Sequence, residues 1–156
     1  MPLPRKFLVV VDDSPEFDAA LRYAARRARS TGGRVALLRV LPLGSDAHWS
    51  GVRDEIQREL RSEAEALLNR LGEEAAERSG GQPLFLIEEG EPQDAIHKVV
   101  RDDPEIKILV LAAGSGARGP GPLVTAVLKQ GTLGGRKLPV TIVPGELTEA
   151  EIEDLG

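Results

Sequence analysis

The chain has 156 residues, 41% of them hydrophobic and 29% charged, which suits one globular domain with a single core. Its net charge of −5 argues against a nucleic-acid partner, because a general nucleic-acid binder needs a basic surface to displace counterions. It has no cysteine, which excludes disulfides and thiol chemistry, and its two histidines, His48 and His97, are too few for an imidazole-rich metal centre.

The N-terminal apolar run meets Asp12 too early for a signal peptide or a membrane span, so a cytoplasmic protein without a membrane partner is expected. Residues 6–12 (KFLVVVD) are continuous and β-branched, the pattern of a strand buried on both faces. Ser14 is the expected N-cap and Pro15 the first position of a helix with Phe17, Ala20, Leu21, Ala24, Ala25 and Ala28 on one face. Thr31-Gly32-Gly33 stops it.

Residues 34–41 read as a second strand. A long amphipathic helix over 52–79 follows, with Val52, Ile56, Leu60, Ala64, Leu67, Leu68, Leu71 and Ala75 in register. Strands are expected at 83–90, 107–114 and 138–145. Helices are expected from PQDAIHKVVRDD and PLVTAVLKQ, and Thr148 and Glu151 have the spacing of a capping box for a short acidic helix. Alternating strands and helices imply a parallel sheet covered on both faces. Ligands of such sheets sit beyond the carboxyl ends of the strands, at the switch in strand order. Asp12, Asp13 and Ser14 would lie there, as would the loop from Gly114.

The acids after the first strand also fit a receiver domain, where they would hold Mg²⁺ against a phosphoacceptor Asp. Here the third strand ends in Glu88-Glu89-Gly90 without an Asp, and the fifth lacks the following Lys, so that reading is disfavoured. GSGARG (Gly114, Gly116, Gly119) satisfies G-x-G-x-x-G, but it follows the fourth strand instead of the first. No P-loop and no G-x-S-x-G motif occurs, and no residue stands out as a general base for hydrolysis. His97 reads as helix surface and His48-Trp49 as a loop anchor. Glycines between a strand and a helix let backbone N–H groups approach an anion, and Arg118 would add positive charge.

Several stretches together resemble the universal stress protein family (UspA-like domain): LVVVDDSPEFDAALRYAARRA, VALLRVLP, EEGEPQDAIHKVV, and KILVLAAGSGARG leading to PVTIVPG. The resemblance spans one domain over residues 1–145, with 146–156 as a short acidic tail. It implies an α/β fold with an open parallel five-stranded sheet in the order 3-2-1-4-5 and helices on both faces, adenine nucleotide alpha hydrolase-like. It also implies a cytoplasmic stress-response module, often a homodimer pairing the fifth strand, here 138–144.

Many members bind ATP or another adenine nucleotide, with Mg²⁺, and others bind none and act through protein partners. In binding members the acid matching Asp12 lies near the adenosine, and the main chain matching Val40 meets the adenine. A G-x2-G-x9-G-[ST] loop holds ribose and phosphates. Gly116 and Gly119 fit its start, and Gly131-Thr132 its end, but eleven residues separate Gly119 from Gly131. Counting back from Gly131 reaches Gly121, with Arg118 in place of the first glycine. In a second alignment PLVTAVLKQ is the crossover helix and Gly121-Pro122 replaces the G-[ST] pair. Asp13 adds negative charge near any phosphate. A weak nucleotide hydrolase is the enzymatic alternative, which ATP turnover would distinguish.

Overall fold

The computed structural model describes residues 5–43, 50–114, 119–130 and 137–156. The expected strands appear as β1 (Lys6–Val11), β2 (Arg34–Leu41), β3 (Leu84–Glu89), β4 (Ile106–Ala113) and β5 (Val140–Pro144). Every pairing is parallel, and the order is β3-β2-β1-β4-β5. The chain therefore steps outward from β1 through β2 to β3, then crosses back to β4 and β5. The switch in strand order lies between β1 and β4.

Side chains alternate across a strand, and both faces of this sheet are covered. Phe7, Val9 and Val11 pack into one apolar cluster with α1 (Phe17–Thr31) and α2 (Ser50–Ser79). Leu8 and Val10 pack into the other with α3 (Pro92–Asp102) and α4 (Pro122–Gln130). This explains why β1 reads as an unbroken apolar run. It also explains the scarcity of aromatics, since the layers are filled by Val, Leu, Ile and Ala. The α1 stripe is buried as expected, and the helix ends on Gly32 at φ 72°, where the missing Cβ permits the left-handed turn.

Two sequence expectations change. Ser14 does not cap α1. The helix begins at Phe17 with Glu16 at the N-cap position and no side-chain capping bond, because the Ser14 hydroxyl is engaged by Asp12. In α2, Val52 and Ile56 remain exposed, and burial begins at Ala64. A 30-residue helix is about 45 Å long, whereas the eight residues of β2 span about 26 Å, so its first turns overhang the sheet.

The C-terminal residues form α5 (Glu149–Leu155), and its capping box is complete. Glu151 N–H donates to the Thr148 hydroxyl, and Thr148 N–H to the Glu151 carboxylate. Ile152 inserts into the α1–α2 cluster. Charged pairs surround it: Arg78–Glu149 at 2.7 Å and Arg26–Glu153 at 3.1 Å. Hydrogen bonding to Arg78 lowers the Glu149 pKa. A lowered carboxylate pKa stabilises above the unfolded-state value and is lost as pH falls through the folded one. Below the ordinary glutamate range of about 4.3, α5 is therefore expected to loosen before the sheet. Between pH 6 and 3 the protection of residues 149–155 against amide exchange, corrected for the intrinsic fall in exchange rate, should drop more than that of β1, and an equal drop would show that the Arg78–Glu149 pair does not hold α5.

Candidate functional site

The carboxyl end of β1 stands between those of β2 and β4, with the switch in strand order on its β4 side. Asp12 directly follows β1. Its Oδ1 accepts the Ser14 N–H at 2.8 Å and the Ser14 hydroxyl at 2.5 Å. This Asx turn fixes the carboxylate on the strand end, and Oδ2 has no partner among the described residues. The Asp-x-Ser spacing thus orients an acid instead of starting a helix.

β2 outlasts β1. The last pair across them is Val11 with Arg39, so Val40 and Leu41 extend past the end of β1. Val40 pairs with Glu88 on the β3 side. The β1-facing side of that strand end is not paired by β1 and lies next to Asp12.

Asp13 is not a bare charge. Arg39 Nη2 donates to both Asp13 oxygens at 3.3 Å, and Nη1 to the Val11 carbonyl at 3.4 Å. Asp13 is highly exposed, so the pair is a solvent-screened one whose stabilisation is small. Sequence reading missed Arg39. The available signal was an interior charge in the strand RVALLRVL, whose other interior positions are apolar, two residues from its carboxyl end.

The glycine loop is partly described. Gly114, Gly119 and Gly121 are placed, whereas Gly116, Arg118, Gly131 and Thr132 lie outside the described residues. So do Ser115 and the His48-Trp49 loop. Gly114 N–H donates to the Pro120 carbonyl at 3.2 Å, which holds Pro120 beside the end of β4. Gly119 and Gly121 have φ of 73° and 108°, conformations open to glycine. Pro120 and Pro122 carry no N–H. Backbone donors to an anion between 119 and 122 therefore reduce to Gly119 and Gly121. α4 at Pro122–Gln130 occupies the crossover, the arrangement of the second alignment.

A second residue missed in the sequence is Glu16. It packs against Gly114 and Gly145, which follow β4 and β5 and are held together by Gly145 N–H to Ala113 O at 3.0 Å. Toward the adenosine that the resemblance implies, the described residues offer an oriented carboxylate beside a half-buried strand end. For a phosphate, the described part of the loop offers only the Gly119 and Gly121 N–H groups, with the Glu16 carboxylate nearby. Among the described residues no group of three or more His, Cys, Asp or Glu side chains converges as a metal site. Clefts of about 270 and 380 Å³ lie elsewhere, the first beneath α5 and lined largely by charged side chains, the second beside β3 with a mixed lining of Arg61, Glu65, Asn69, Leu68, Phe85 and Ile87. His97 is exposed on α3. No described helix is long and apolar enough to cross a membrane.

The five-stranded parallel sheet in the order 3-2-1-4-5, with helices on both faces, is the adenine nucleotide alpha hydrolase-like fold. The sequence model of the universal stress protein family matches residues 4–129, and the chain belongs to that family. The universal stress protein UspA from Lactobacillus plantarum superposes with a TM-score of 0.72 at 22% identity, over 89% of this chain and 97% of that one. A universal stress protein in complex with cAMP gives 0.66 at 16%, over 92% and 98%. The universal stress protein from Archaeoglobus fulgidus in complex with dAMP gives 0.59 at 20%, over 92% and 99%. Comparison with curated protein sequences gives no match.

Proposed function

We propose that this family member is a cytoplasmic stress-response module that binds an adenine nucleotide, ATP or a shorter one, across the carboxyl ends of β1 and β2. The observation carrying this reading is the Asp12 carboxylate, fixed through Oδ1 by Ser14 and open at Oδ2, beside the Val40 end of β2, which runs past the end of β1. In this reading Asp12 accepts hydrogen bonds from the ribose or base, and the Val40 main chain meets the adenine edge. Gly119 and Gly121 offer N–H groups toward the phosphate side. That related folds hold cAMP and dAMP supports the choice of adenine.

Calorimetric titration with ATP, with and without Mg²⁺, tests it, with a Kd on the order of micromolar expected. Asp12→Ala should weaken binding about 10- to 100-fold, the usual contribution of a hydrogen bond to a charged group. Unchanged affinity would remove Asp12 from the pocket, and no binding at about millimolar ATP would sink the reading.

A second reading draws on the loop. With Gly114 N–H engaged by Pro120 and two prolines beside the remaining glycines, a member that has lost nucleotide binding and acts through protein partners is the alternative. In either reading β5 (Val140–Pro144) is a short apolar edge strand that calls for cover. Pairing of the 138–144 segment between two copies would supply it. Sedimentation equilibrium should then report twice the monomer mass, and a monomer at tens of micromolar (roughly; a weak-interface range) would exclude the homodimer.

A further inference from the structure

We propose that the Glu16 carboxylate is a built-in competitor for the phosphate end of the ligand, so that the site favours adenosine-type ligands with few or no phosphates over triphosphates. This rests on the adenine reading above and goes further by naming the ligand class and the residue that selects it.

Glu16 is half-buried at the N-cap position of α1, yet it makes no capping hydrogen bond. It has no cation partner among the described residues, in contrast to Asp13, which Arg39 neutralises. Its position is fixed by packing. A Cβ on Gly145 would lie 2.5 Å from Glu16 Cβ and 2.9 Å from Glu16 Cα. A Cβ on Gly114 would lie 3.1 Å from Glu16 Oε1 and 3.1 Å from the Gly119 carbonyl oxygen. The two glycines that end β4 and β5 make room for this side chain, and its carboxylate stands beside the glycine loop.

The positive end of a helix and the loop's backbone N–H groups would otherwise draw an anion to this place. Glu16 already brings a negative charge there. An arriving phosphate must displace it or sit beside it, and unit charges of like sign a few ångströms apart repel appreciably even near the surface. Among the described loop residues only Gly119 and Gly121 keep an N–H to offset that repulsion, because Gly114 N–H is engaged and Pro120 and Pro122 cannot donate. Adenosine leaves Asp12 and Val40 engaged and carries no charge to the Glu16 side.

The test titrates adenosine, AMP and ATP, without Mg²⁺, into the wild-type protein and into Glu16→Gln and Glu16→Ala, each shown to be folded by circular dichroism. Wild type is expected to bind adenosine at least as tightly as ATP. Removing the charge should tighten ATP on the order of tenfold, tighten AMP by less, and leave adenosine unmoved. Two results would overturn the proposal: adenosine binding with ATP affinity unchanged in both variants, or ATP binding more tightly than adenosine in the wild type. If neither adenosine nor ATP binds any of the three proteins, the adenine reading itself falls and the proposal with it. That outcome is distinct from the first two.

Discussion

Leu37→Ala is expected to lower the free energy of unfolding by about 2–5 kcal/mol, the range for emptying a leucine-sized space in a packed core. Leu37 is fully buried, lies opposite Val9 on one side and Phe85 on the other, and faces α1 and α2. The neighbouring strands β1 and β3 are fixed in the sheet and α1 and α2 close the face above, so little collapse into the cavity is available. Typical domains hold about 5–15 kcal/mol in all, so this one change removes a large share. Urea unfolding should show a lower midpoint with an unchanged slope. A midpoint within error of wild type would mean that the α1–α2 layer is looser than its burial indicates.

Gly145→Val should destabilise by about 1–3 kcal/mol through overpacking, and it should also disturb the ligand site. The glycine is present for space. Its φ lies outside the left-handed region, but any Cβ there collides with the side chain and the Cα of Glu16. Because Glu16 begins α1, a larger residue must push the helix start away from the strand ends. Gly81→Ala is the control: nothing lies within 4 Å of that position, and its stability should stay within about 0.5 kcal/mol of wild type. Equal behaviour of the two variants would contradict the packing of Glu16 against the ends of β4 and β5.

The fold was legible because both faces of the sheet are buried. That makes each strand a short unbroken apolar run, and each helix an apolar stripe between Gly or Pro stops. The misreadings have local causes. Ser14-Pro15 carries the composition of a helix start, but the nearer acceptor, Asp12 two residues back, takes the hydroxyl. Val52 and Ile56 keep the helical period although the sheet is too short to reach them. The site was legible only where one residue acts alone. Asp12 and Val40 are found by position at strand ends. The Arg39–Asp13 pair and the Glu16–Gly145 packing join residues 26 and 129 positions apart (39 − 13; 145 − 16), and no local pattern announces such contacts. The capping box of α5 was readable because its partners are three residues apart.

Strand order also governs the order of assembly during synthesis. β1, β2 and β3 are neighbours in both sequence and space, so the first 90 residues or so contain one half of the sheet. β1 is the central strand, and its second neighbour is β4, whose pairing begins with Lys6 opposite Ile106, 100 positions later (106 − 6). Until that segment leaves the ribosome, the edge formed by Phe7, Leu8 and Val9 has hydrogen-bonding groups and apolar side chains without cover. Such an edge templates association with other chains. Closing a loop of that length is a slow, non-local step. Nascent chains that stall before Ile106 are therefore the vulnerable species, and a chaperone acting on this protein has most to protect in the interval between β3 and β4.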